Sequence, residues 1–234
     1  MDPIYLTPTS IIDSDHSSIM AYASTITASA GDDPVKKAVA LFYAVRDNIR
    51  YDPYTPFYLP EHYRASNILK NGRGFCVCKA SLLCALGRAA GVPTRVGFAD
   101  VRNHLATRQL VELMGSDLFV YHGFNEFYLN DKWVKATPTF NTELCNRHHV
   151  PPIEFNGLED AIFHAFNLEN KKHMEYLTYH GSYADIPIDT ILSAWHAVYG
   201  KERVEFWKYF FQELSRSRTG NAGKPDFYTE DVIH

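Results

Sequence analysis

Residues Gly72-Arg73-Gly74-Phe75-Cys76-Val77-Cys78-Lys79-Ala80 place a glycine-rich turn directly ahead of a long helical pattern, and this order constrains the fold more than any other stretch. From Cys76 onward the apolar positions Ala80, Leu83, Cys84, Leu86, Gly87 and Ala90 recur at helical spacing until Gly91-Val92-Pro93 stops the helix. Cys76 therefore falls in a first helical turn, where unpaired N–H groups and the positive end of the helix dipole favour an anion. A thiol there is expected to titrate below its ordinary value of about 8.5, as a nucleophilic thiolate requires. Cys78 and Cys84 follow as packing residues.

The rest of the chain sets limits. Its 234 residues, 46% hydrophobic and with a net charge of −4, suffice for a single domain spanning 1–234 with a sizeable core. Lysines and arginines do not cluster, so nucleic acid is not an expected partner. No long uninterrupted apolar run occurs, so neither a signal peptide nor a membrane helix is expected and the location reads as cytoplasmic. Four cysteines, two of them separated by one residue, do not make a disulfide framework in a chain this long, and free thiols are expected.

Periodicity predicts helices over 17–30 and 34–49, the second opened by Asp33-Pro34, and a short one over 66–71. Residues 51–60 carry three prolines among four aromatics and read as an extended loop in which Tyr51, Tyr54 and Phe57 stand ready to bind substrate. Strands are predicted over 95–101, 120–128 and 133–136, the last two joined by a hairpin turn over 129–132, with a helical excursion over 104–114. Residues 141–189 read as irregular, 189–199 and 201–216 as amphipathic helices, and the end from about Arg216 as a loosely held tail.

Cys76, Ala80, Arg88 and Gly91-Val92-Pro93-Thr94-Arg95 resemble the Gly-x-Cys…Ala…Leu-Arg-Ala-x-Gly-Ile-Pro-Ala-Arg signature of the transglutaminase-like cysteine enzymes. A second block, Tyr121-His122-Gly123-Phe124-Asn125-Glu126-Phe127-Tyr128 followed by Trp133 and Thr137-Pro138-Thr139, resembles that family's His-Ala-Trp-x-Glu-x-Tyr…Trp-x-x-x-Asp-Pro-Thr segment. Together the blocks cover about residues 45–141. The resemblance implies an α+β fold with a papain-like transglutaminase core, in which an N-terminal helical half carrying the nucleophile helix packs on an antiparallel sheet. Residues 142–234 then form a lid or side wall. It also implies a Cys-His-Asp triad, but the aspartate's position, fifteen residues after His122, is occupied by Thr137.

On this reading Cys76 attacks an amide or ester carbonyl and His122 is its general base, with Thr137 orienting the imidazole through its hydroxyl. Asn125, Glu126 and Asn141 are alternative orienting groups, and Tyr121 joins the substrate-binding aromatics. Arg88 and Arg95 brace the helix and the first strand. A small-molecule or peptide amide is the expected substrate, acting through an acyl-thioester that passes to water or an amine, and no metal or organic cofactor is required. Three alternatives stay open. Cys76 can be a buried structural cysteine, Cys76-Val77-Cys78 can pair with Cys145 and His148-His149 as metal ligands, and the fold can serve as a non-catalytic binding module. The oligomeric state is left open.

Overall fold

The computed structural model describes residues 1–217 and 227–231. In chain order its elements are α1 (Ser17–Thr27), α2 (Pro34–Asn48), β1 (Arg50–Tyr51), α3 (Pro60–Tyr63), α4 (Ala65–Asn71), β2 (Arg73–Gly74), α5 (Cys76–Ala89), β3 (Thr94–Asn103), α6 (Arg108–Met114), β4 (Leu118–Leu129), β5 (Lys132–Ala136), α7 (Thr142–Arg147), β6 (Met174–Tyr183), α8 (Ile188–Tyr199) and α9 (Lys201–Ser217). Local chemistry sets several boundaries. Asp33 accepts from the N–H groups of Val35 and Lys36 at the start of α2, with Pro34 as the first helical residue. Thr107 caps α6 through the N–H of Leu110. Asn130 and Asp131 both take positive φ values, 49° and 63°, which gives the β4–β5 hairpin the two-residue turn its sequence announces.

Four antiparallel strands form the main sheet in the order β5-β4-β3-β6, and α1, α2 and α4 pack with the sheet around α5. The fold is α+β. Every residue of α5 from Val77 to Arg88 is buried, so its apolar stripe is only part of its contact surface. Its polar side chains reach backbone carbonyls: Lys79 Nζ donates to Arg46 and Ile49, Ser81 to Tyr63, and Arg88 to Thr94, Thr7 and Ala184. This satisfaction offsets the desolvation that burying such groups costs. Arg88 thus braces the helix, and Arg95 meets Glu126 at 2.6 Å across β3 and β4.

The structure departs from the sequence expectation in three places. The stretch read as irregular over 141–189 contains α7 and the ten-residue strand β6. As an edge strand β6 exposes Glu175, Leu177, Thr178 and Tyr179, and its polar residues and Gly181 hide the alternation that marks a half-buried strand. A short helix that was not expected, α3, opens at Pro60 where the extended loop ends. Third, of the segment expected to be a loose tail, residues 227–231 are docked: Tyr54 donates to Glu230 at 2.6 Å, Thr107 donates to the same carboxylate at 2.6 Å, and Phe227 lies edge-on to Tyr51. Residues 218–226 and 232–234 of that expected tail lie outside the described residues.

Burial also sets charge states away from Cys76 and His122. His173 is 3% exposed and burial pushes its pKa down to about 4; His148, stacked on Phe227, is likewise pushed down to about 4. A histidine held neutral in the folded chain binds fewer protons than it does unfolded, between its folded value and about 6.5, so stability rises with pH across that window. Lowering the pH from 7 to 4.5 is expected to cost roughly 2 kcal/mol through His173 alone, or about 4 to 8 °C in Tm. Calorimetry of the wild type and of His173→Phe checks this: the variant's Tm should fall less steeply over the same range, and parallel curves would refute it.

Candidate active site

The parallel pairing of β1 with β2 brings Tyr51 opposite Gly74, two residues before Cys76. Gly74 is required by contact, since a Cβ there would sit 2.5 Å from Cys78 Cβ. Cys76 is the first residue of α5, and the preceding Phe75 offers no side-chain cap, so the helix start is left to the sulfur and the backbone. The other side of the site is β4. Gly123 lies against the first turn of α5, where a Cβ would stand 3.0 Å from Val77 Cα, and His122 precedes it.

Cys76 and His122 line one cavity of about 70 Å³. All four cysteines are free; Cys76 keeps partial exposure, whereas Cys78, Cys84 and Cys145 are buried. Three backbone N–H groups, those of Gly123, Val77 and Cys76 itself, stabilise the Cys76 thiolate, but burial outweighs them and pushes the thiol up to about 11. Burial likewise pushes His122 down to about 3. The magnitudes explain the order. A helix start contributes at most about 2 kcal/mol, some one and a half pKa units, against shifts of up to about 3–5 units from full burial. The lowered thiol pKa read from the sequence is therefore corrected, and both groups rest neutral.

The ring of His122 lies 4.9 Å from that of Phe163. Among the described residues its Nε2 is buried without a hydrogen-bond partner, and so is the hydroxyl of Thr137, near which the Tyr176 hydroxyl lies. The alternative orienting groups are engaged elsewhere. Asn125 donates to Ala80 O at 2.9 Å and ties β4 to α5, while Glu126 accepts from Arg95 and Ser182. Asn141 accepts from the Tyr51 N–H at 2.8 Å and from the Tyr228 hydroxyl, and donates to Arg46 O and Ile49 O. It fixes the cavity wall. Of the aromatics singled out for substrate, Tyr51, Phe57 and Tyr121 line the cavity; Tyr54 does not, being buried with its hydroxyl on Glu230.

One device went unseen in the sequence. Tyr121, adjacent to His122, has φ of +58°, a left-handed conformation that costs a non-glycine residue roughly 1–2 kcal/mol. Asp100 Oδ1 accepts its N–H at 2.9 Å and also bonds His180 Nε2 at 2.7 Å, while the His180 ring stacks on Tyr121 with centroids 4.1 Å apart. A hydrogen bond to a charged group contributes about 1.5–3 kcal/mol, enough to hold the kink. The register of β3 shifts beside Asp100 against both neighbours, so His122 leaves a bulge in the sheet.

The transglutaminase-like superfamily pattern matches residues 20–138, just over half of the chain and inclusive of α5, Cys76, His122 and Thr137. The chain belongs to the transglutaminase-like superfamily. Two solved structures resemble this transglutaminase-like chain. A Cytophaga hutchinsonii protein described provisionally as a cysteine protease is 18% identical with a TM-score of 0.45, over 76% of this chain and 53% of that one. A Parabacteroides distasonis protein described provisionally as a protease is 15% identical with a TM-score of 0.37, over 55% of this chain and 26% of that one. The chain thus spans about half the length of the first and a quarter of the second. Comparison with curated proteins gave no match. The family pattern ends before α7, so the wall contributed by α8 and α9 lies outside it. Among the described residues no group of three His, Cys, Asp or Glu side chains is placed to hold a metal ion, and no helix is long and apolar enough to cross a membrane.

Limiting iodoacetamide should alkylate Cys76 ahead of Cys78, Cys84 and Cys145. Because the thiol is raised to about 11, the rate should climb about tenfold per pH unit between pH 7 and 10. Peptide mapping by mass spectrometry checks both, and a rate plateau below pH 8 would show a thiolate already formed.

Proposed function

We propose that this chain is a cysteine-dependent acyl-transfer enzyme, an amide or ester hydrolase or an amidotransferase, with Cys76 as nucleophile and His122 as general base. The observation that carries the reading is the shared cavity, with Cys76 at a helix start and His122 beside it on the strand that packs against that helix. Substrates are small-molecule or peptide amides and esters.

Starting from two neutral groups, proton transfer accompanies attack: the sulfur–carbon bond forms as the thiol proton passes to His122, and the carbonyl oxygen gains the negative charge. The N–H of Cys76 is the oxyanion donor, one of the three backbone donors gathered around the sulfur. His122 then returns the proton to the departing amine or alkoxide as its bond to carbon breaks, leaving an acyl-thioester. Water or an amine attacks this ester, gives its proton to His122 and releases the acid or new amide, and Cys76 recovers its proton. In a dry site a neutral pair avoids the cost of a resting ion pair, and charge appears only in the transition state, where the backbone donors act.

Thr137 stands where the family carries an aspartate. In the structure no hydrogen bond joins the Thr137 hydroxyl to His122 Nε2, so a role for Thr137 in fixing the imidazole requires the two to approach during turnover. A hydroxyl fixes the tautomer without stabilising imidazolium by charge. The same replacement favours the second reading, a non-catalytic binding module.

Intact mass after incubation with a chloroacetamide probe or an activated ester separates the two readings: one adduct is expected on wild type and none on Cys76→Ala. With a turned-over ester, His122→Ala should keep its Tm and lose about 10² to 10⁴ in kcat; near-normal kcat would remove His122 from the mechanism. Thr137→Val keeps the side-chain volume and gives up only a contact with the Tyr176 hydroxyl, so stability should change by no more than about 1 kcal/mol. Its kcat should nevertheless fall, and an unchanged kcat would show that the hydroxyl does not serve the base.

A further inference from the structure

Resting on the proposed acyl-transfer chemistry, we infer that the cavity selects the acyl half of the substrate and accepts short, uncharged aliphatic acyl groups of about two to four carbons. The inference stands on the wall that α8 and α9 add to the site. Trp195 and Tyr199 on α8, and Trp207 and Phe211 on α9, line the cavity opposite the family core, and Met114 at the end of α6 joins them.

These side chains turn their polar atoms away from the space they enclose. Trp195 Nε1 donates to Val120 O at 2.8 Å, and Trp207 Nε1 donates to Leu113 O at 3.0 Å. The Tyr199 hydroxyl accepts the Val120 N–H and donates to Leu118 O, each at 2.8 Å. With those groups spent on backbone, ring faces and methylenes meet the acyl chain. No lining residue carries a formal charge at neutral pH, His122 included, since burial keeps it neutral. A carboxylate or ammonium on the acyl chain would enter without a counter-charge, at a desolvation cost that nothing returns.

Size sets the other bound. A cavity of about 150 Å³ admits benzene and a single water needs about 10–15 Å³, so the 70 Å³ here fits a few carbons and excludes an aromatic ring. The rings are pinned against widening: Phe57 packs at 4.9 Å from Trp195 and 5.9 Å from Phe211, and Trp207 packs at 5.1 Å from Tyr199. Because Trp195, Tyr199, Trp207 and Phe211 lie outside residues 20–138, their share of the selectivity belongs to the C-terminal helices of this chain, with Met114 contributed from within the matched region.

The test measures kcat/KM for p-nitrophenyl acetate, butyrate, octanoate, benzoate and hemisuccinate, with Cys76→Ala as background and intact mass to follow acylation. Butyrate is expected to exceed acetate by about fourfold per added methylene and to exceed hemisuccinate at least a hundredfold, with octanoate and benzoate below butyrate. Met114→Lys, a substitution at a half-buried helix end, should raise the hemisuccinate rate at least tenfold relative to butyrate, and Met114→Ala should shift the optimum to a longer chain. If Cys76 is acylated but hemisuccinate, benzoate or octanoate matches butyrate, the inference on the acyl group is overturned and the acyl-transfer reading stands. If no ester acylates Cys76, the acyl-transfer reading itself fails.

Discussion

Burial of α5 on every side is the constraint from which the rest of the structure follows. A helix at the centre of a domain has no solvated face on which to place its polar residues, so Lys79, Ser81 and Arg88 must find acceptors inside. They find carbonyls at the end of α2, the end of α3, the start of β3 and the segments around Thr7 and Ala184. Each bond ties a separate piece of chain to the helix whose first residue is Cys76. Cys76 is positioned by a frame that cannot shift without leaving a buried donor unpaired.

That frame has an electrostatic consequence. The helix start offers the sulfur three N–H groups, yet the enclosure that makes the position rigid also removes the water a thiolate needs. Desolvation is the larger effect and acts on both partners, raising the thiol and lowering the imidazole. Cys76 and His122 therefore both rest neutral in the cavity they share.

The parts legible in the sequence were those written locally. The Cys76 helix, the β4–β5 turn and the caps of α2 depend on residues within one or two turns of each other, and so does the placement of His122 one residue before a glycine. What was not legible depends on distant pairs. Asp100 and His180 are 80 residues apart, and neither looks unusual until β6 is added to the sheet. Tyr54 and Phe57 are indistinguishable in a proline-rich loop; one is claimed by Glu230 and the other by Trp195, 176 and 138 residues away. The thiol pKa was misjudged because a helix start shows in sequence, whereas the apolar walls that desolvate the sulfur come from distant elements.

Asn141 stands at the meeting of α2, β1, α7 and the docked 227–231 segment, donating through its nitrogen and accepting through its oxygen. Such a junction needs an amide, because a carboxylate accepts but cannot donate. A carboxylate in its place would turn a negative oxygen toward the carbonyls of Arg46 and Ile49. The oxygen that accepts from the Tyr51 N–H would remain, but the end of α2 would lose the donor that ties it to the start of α7.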